Sequence, residues 1–309
     1  MRVHSGRNHG SIWGHLIEGS LFRYLLVTPA ILSTAVLILY PAIKGVWTSF
    51  HSVNLAQPWQ GAPFVGLGNY RELFRDPLLW RAFGNTLIYT FGAITGQFSL
   101  GLITALLLNR SFRGRGLVRG LILLPWVMPG VVAALMWGWM YNPDVGVIND
   151  LLLKTHIISR PIAWLANPST AMLAIIGVAI WKGFPFFAVT LLAGLQAIPR
   201  ELYEAADIDG ASYFQKFTYV TLPLIKEVIL ITTTLRFSGI FVYADLVYVL
   251  TEGGPANATM TLPVYAFLKA YNNFDFGHAA AISIIMVLFL FVLALVYIRL
   301  MTLTKSGLG

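Results

Sequence analysis

The apolar residues of this chain come in long blocks rather than as scattered core positions. A helix that crosses a bilayer needs about 20 mostly apolar residues, and six segments meet that demand. They run approximately from Phe22 to Phe50, Asn85 to Leu108, Leu117 to Met140, Thr170 to Leu195, Leu224 to Leu250 and His278 to Leu303. The first is purest between Tyr24 and Tyr40. It is long for a signal peptide and no small-residue cleavage site clearly follows it, so it reads as an uncleaved span. The pattern predicts an all-α membrane protein of six transmembrane helices, forming one domain over residues 1–309. No internal repeat or low-complexity stretch divides it.

Composition supports this reading. The chain is 57% apolar and only 11% charged, with a mean hydropathy of +0.72. A soluble domain of this size needs more charge to cover its surface. The absence of cysteine excludes disulfide staples, thiolate zinc sites and cysteine nucleophiles. A net charge of +8 would suggest nucleic-acid binding in a soluble protein. Here basic residues set membrane orientation instead, and no nucleic-acid partner is expected.

With a cytoplasmic N-terminus, twelve Lys and Arg fall inside and six outside. The short loop carrying Arg110, Arg113, Arg115 and Arg119 decides the matter, because the charge rule is strongest in short loops. Both termini, the segment 1–21 and the loop 196–223 are therefore expected on the cytoplasmic face of a plasma membrane, with lipid around the spans.

That loop, Gln196 to Pro223, is the most informative stretch. Pro199 suits the start of a helix, since its missing amide donor is not needed there. Good helix formers follow to Asp209, and Gly210 breaks the run. Ser212 is placed to cap a second short helix through Phe217, and Pro223 opens the fifth span. Glu201, Glu204 and Asp207 recur every three residues as an acidic ridge. Leu202, Ala205, Ala206, Phe214 and Phe217 supply small and apolar surface. On pattern alone this is either a docking elbow or a solvated reversal of the chain.

Three charges, Lys182, Arg236 and Asp245, fall inside predicted spans. Each is costly in hydrocarbon unless paired or wet, and so marks a candidate site. Arg236 and Asp245 are nine residues apart, which sets them on opposite sides of a straight helix. Lys182 with Asp245 is the expected pair. The charges either bind substrate or hold two subunits together. Phe186, Phe241 and Tyr243 suit stacking on the flat face of a ligand or ordinary packing. Gly183 and Pro185 suggest a kink or local unwinding of the fourth span.

Glu204-Ala205-Ala206, Gly210, Val220 and Leu222-Pro223 stand at the spacing of the signature loop of binding-protein-dependent ABC importer permeases, with Val220 where isoleucine is usual. The chain resembles that family over nearly its whole length. Tyr40-Pro41, the run Phe64 to Tyr70, Leu123 to Trp137, Trp181 to Phe186, Leu250 to Pro255 and Asp275-Phe276-Gly277 look like its carbohydrate-uptake branch. The chain is similar to the larger permease of maltose transporters, without extra N-terminal spans or a large periplasmic insertion.

The resemblance implies a type I importer permease fold with a cytoplasmic coupling helix at this loop. Glu204 would meet a basic residue of an ATPase subunit, Ala205 and Ala206 would allow close approach, and Gly210 would make the turn. It implies a second homologous permease, two ATPase subunits carrying ATP and Mg, and an extracytoplasmic sugar-binding protein. It also places a sugar cavity at Ala179, Lys182, Gly183, Phe186, Ile240 and Tyr243. Ile240 and Tyr243 stand where the relative has amides, so specificity does not carry over. A di- or oligosaccharide is the expected cargo, and glycerol-phosphate stays open because Lys182 and Arg236 suit an anion.

The chain has no P-loop of its own. Its Lys-Ser/Thr pairs, Lys154-Thr155 and Lys305-Ser306, follow no suitable glycines. No metal-ligand spacing is present, and His51, His156 and His278 read as isolated. An ion-coupled transporter would want a relay of intramembrane acids or histidines, and a membrane enzyme would want converging catalytic groups. The chain is expected to be a transport subunit, not an enzyme.

Overall fold

A computed structural model of the protein describes residues 20–306; the expected N-terminal segment lies almost wholly outside that range. The described residues form helices and connecting loops, with isolated β-bridges but no strand. Helix α1 (Ser20–Thr34) continues through a π-helical turn (Ala35–Leu39) into α2 (Tyr40–Ser49). Then follow α3 (Gly68–Arg75), α4 (Pro77–Asn109), α5 (Arg115–Val127), α6 (Gly130–Met140), α7 (Val147–Lys154) and α8 (Pro168–Gln196). The second half holds α9 (Arg200–Ile208), α10 (Tyr213–Lys216), α11 (Leu222–Phe241), α12 (Asp245–Thr251), α13 (Leu262–Tyr271) and α14 (Phe276–Ser306).

Four helical stretches among the described residues are long and apolar enough to cross a membrane: Leu26–Ser49, Pro77–Asn109, Pro168–Gln196 and Phe276–Arg299. The α5–α6 pair makes a fifth if its 94° bend lies within one span. That bend has a local cause. Pro129 drives Met128 out of the helical region, to ψ 132°, and α6 starts afresh at Gly130. The expected fifth span is also broken, after Phe241, where Val242 to Ala244 separate α11 from α12. It does not reach the length and apolarity of the others. The Leu26–Ser49 helix exposes Leu26, Ile31, Val36, Leu37 and Ile38, and its most apolar stretch has no buried residue. Such a surface fits lipid, not water.

The bundle is built on α4 and α8. Gly92 and Gly96 receive Ile176 and Ile180, and Gly101 lies against Phe187. Small residues at this spacing let two membrane helices approach closely. A Cβ on Gly101 would fall 2.4 Å from the Phe187 Cβ and 3.0 Å from two backbone atoms of α8. Gly101→Ala should therefore cost about 1–3 kcal/mol, the range for overpacking. Gly84→Ala, with nothing within 4 Å of its Cβ, is the control. Thermal unfolding in detergent separates the two; equal melting points would remove close α4–α8 contact as the reason for Gly101.

At the N-terminal end of α4 the loops are tied into a polar knot. Asp76 caps α4 through the Leu78 amide at 2.8 Å, and the Tyr265 hydroxyl donates to Asp76 at 2.6 Å. Buried Asn69 donates to the carbonyls of Ser49 and His51. His278 is not isolated as expected: its ring lies 2.7 Å from Asp275 and 3.2 Å from Glu72. Asp275 is a local partner three residues away, whereas Glu72 is 206 positions distant and only the fold brings it to the ring. Burial pushes the Asp275 carboxyl up, but the hydrogen bonds from His278 outweigh it and hold the group below its ordinary range.

Candidate functional site: a mid-bundle cavity and a protruding elbow

A cavity of about 300 Å³ opens where α4, α5, α8, α11 and α12 converge. It lies near the middle of α4 and α8. Its walls are Tyr89, Gln97, Trp126, Ala179, Lys182, Arg236, Gly239, Ile240, Tyr243 and Leu246. Five of these, Ala179, Lys182, Arg236, Ile240 and Tyr243, are among the residues singled out from the sequence.

The two cations are held from behind. The Lys182 ammonium donates to the Met128 carbonyl at 2.9 Å, so the break before α6 supplies its acceptor. Asp245 is not its partner. That residue is exposed in the first turn of α12, where a carboxylate suits the positive helix end. The opposite-sides argument for Arg236 and Asp245 also lapses, because the helix is not continuous between them. The Arg236 Nε donates to the Gln97 Oε1 at 3.1 Å, and its guanidinium lies 5.5 Å from the centre of the Phe186 ring. The Gln97 amide nitrogen donates to the Ala179 carbonyl at 2.8 Å.

Gly183 is part of this arrangement, though not as a break. Helix α8 runs unbroken through Gly183 and Pro185. A Cβ on Gly183 would fall 2.2 Å from Gln97, so the glycine clears a path for the amide across α8. The expected unwinding occurs instead at Met128–Pro129 and at Val242 to Ala244. The Tyr243 hydroxyl packs against Gly130 at the start of α6, so the two breaks meet. Phe186 supports Arg236 and Trp126 without lining the cavity. Phe241 belongs to the core: it is fully buried and stacks between Phe237 and Phe289.

Gln97, Tyr89, Trp126, Gly239 and Leu246 are the wall residues that sequence reasoning missed. Of these only Gln97 carried a signal, as an uncharged polar group within an apolar block.

The second feature lies at the C-terminal end of α4, opposite the polar knot. Helices α9 and α10 form an elbow. Pro199 precedes α9, Gly210 turns the chain at φ +73°, and Ser212 caps α10 in a reciprocal capping box with Gln215. Glu201, Glu204, Ala205, Gly210 and Phe214 are exposed, whereas Ala206 is half-buried. Asp207 has an internal task, forming an ion pair with Lys216 that locks α9 to α10. The Tyr203 hydroxyl shares a hydrogen bond of 2.9 Å with Thr221, and Arg110 lies over the Tyr213 ring at 5.6 Å. These contacts brace the elbow against α4 and the base of α11. Ile208, exposed and apolar, was not anticipated.

Apolar helices around a mid-depth polar cavity, with a braced elbow projecting at one end, define a membrane transport subunit. Residues 97–308 match the family described as binding-protein-dependent transport system inner membrane component. The chain belongs to this family. It is 38% identical over 276 residues to the trehalose/maltose transport system permease protein MalF of Thermococcus litoralis, covering 89% of this chain and 92% of that one. It is 36% identical over 281 residues to the sulfoquinovosyl glycerol transport system permease protein SmoG of Agrobacterium fabrum, covering 91% and 90%. Its fold resembles a chain of a crystallised bacterial ABC transporter involved in the import of the acidic polysaccharide alginate. The TM-score is 0.79 at 22% identity, with 92% of this chain and 96% of that chain covered.

Proposed function

We propose that this chain is one of two related permease subunits of an ATP-driven sugar importer in a bacterial inner membrane. The observation that carries the reading is the braced elbow, with Glu201 and Glu204 presented to solvent. In this reading six helical passes cross the membrane, α5–α6 and α11–α12 each forming one broken pass. Both termini and the elbow are cytoplasmic, as the arginines at 110, 113, 115 and 119 favour. Two ATPase subunits, with ATP and Mg, dock at the elbows. An extracytoplasmic binding protein delivers a di- or oligosaccharide to the cavity. ATP-driven closure of the ATPases moves the elbow, and its ties to α4 and α11 carry that motion to the cavity walls. The names of the relatives support a sugar as cargo.

The test is reconstitution in lipid with the neighbouring permease, ATPase and binding protein. ATP hydrolysis should rise severalfold with sugar-loaded binding protein and drive sugar inward. A folded chain that neither assembles with nor stimulates an ATPase overturns the reading and brings an ion-coupled transporter forward.

A further inference from the structure

The cavity wall carries two cations and no acid, and the nearest carboxylate, Asp245, sits behind the wall on the Tyr243 side chain. Lys182 and Arg236 both line the cavity, and among the described residues no carboxylate lies within 4.0 Å of either. Each is secured from behind by a neutral acceptor, the Met128 carbonyl for Lys182 and the Gln97 amide oxygen for Arg236. Each keeps donors to spare. An ammonium has three N–H groups and a guanidinium five, and only one of each is taken. What remains on Arg236 includes the planar fork that matches a carboxylate with two parallel bonds. Acceptors suited to a plain sugar hydroxyl are few: the wall holds the Tyr89 and Tyr243 hydroxyls, the second tied to Asp245, and the Gln97 amide oxygen, which already accepts from Arg236, and no acid lines it. Two charges in an apolar surrounding without a counter-charge in contact are costly, and an anionic ligand removes that cost.

We infer that the cavity takes a saccharide bearing an oxyanion, a uronate-type carboxylate or a group of similar charge, with the anion held between Arg236 and Lys182. This deepens the proposed importer function and rests on it. The Trp126 and Tyr243 rings supply flat apolar surface for the sugar body, while the cations select the charged substituent.

The test uses the assembled transporter in lipid nanodiscs, with digalacturonate as the acidic probe and lactose as the neutral one, by titration calorimetry. Digalacturonate should bind at least about tenfold more tightly, a preference that shrinks as salt is raised. Lys182→Met and Arg236→Met should each cost about tenfold in digalacturonate affinity and collapse the preference. Co-purification of the second permease reads the competing role in the same samples: if either variant releases that subunit, the cations serve the subunit interface and the inference fails. Equal binding of both probes by an intact, ATP-hydrolysing complex removes the charge assignment and leaves the importer reading standing. A chain that joins no second permease and no ATPase removes the importer reading itself.

Discussion

Glu204→Lys is expected to abolish stimulated ATP hydrolysis and sugar uptake while leaving the permease folded in the membrane. Glu204 is exposed, one turn from Glu201 on the outer side of α9, and takes part in no ion pair within the described chain. Its replacement therefore costs the isolated subunit little. A partner that presents a basic group to this ridge would instead meet like charge, and juxtaposed like charges at an interface cost several kcal/mol. That is enough to lower assembly more than a hundredfold. The elbow behind Glu204 is braced by the Asp207–Lys216 pair and the Tyr203–Thr221 hydrogen bond, so the substitution should not collapse it. Co-purified ATPase and stimulated hydrolysis in proteoliposomes are the measurements, with melting temperature as the folding control. Hydrolysis at the wild-type level from the Glu204→Lys complex would show that this ridge does not engage the ATPase.

The elbow was almost fully legible in the sequence, because its signals are local. Proline before α9, glycine at a positive φ and serine as a cap act within a few residues of themselves. The apolar blocks were legible for the same reason, since hydrocarbon demands a continuous run. The breaks inside two blocks were less so. Met128–Pro129 follows the rule for residues before proline. Nothing polar marks Val242 to Ala244, where the interruption depends on the packing of Tyr243 against α6. The cavity cations stood out because a charge in an apolar block is costly. Their partners did not: Lys182 found a freed backbone carbonyl and Arg236 a neutral amide 139 positions away. Phe241 stayed open between stacking on a ligand and packing because hydropathy does not distinguish a ring stacked in the core from one facing a cavity; the structure selects packing.

Gln97→Leu is expected to damage the cavity about as much as removing Arg236 itself. The side chains are close in volume, so the substitution chiefly deletes hydrogen bonds. Gln97 is 1% exposed and bridges the Ala179 carbonyl to the Arg236 Nε. Without it the guanidinium loses the acceptor that fixes its orientation, at a cost of about 1.5–3 kcal/mol for a hydrogen bond to a charged group. The consequence should be weaker sugar binding by about tenfold or more and a lower melting temperature. Gly183→Ala reaches the same bridge from the other side, since its Cβ would fall 2.2–2.4 Å from three Gln97 side-chain atoms. If both act through one amide, their combination should cost little more than the worse of the two, whereas independent faults would add. Additive losses, or wild-type affinity in Gln97→Leu, would show that Arg236 holds its place without the bridge. A shared loss would make Gln97 and Gly183 one device: a glycine on α8 that exists to let an amide from α4 reach across and aim an arginine of α11 at the cavity.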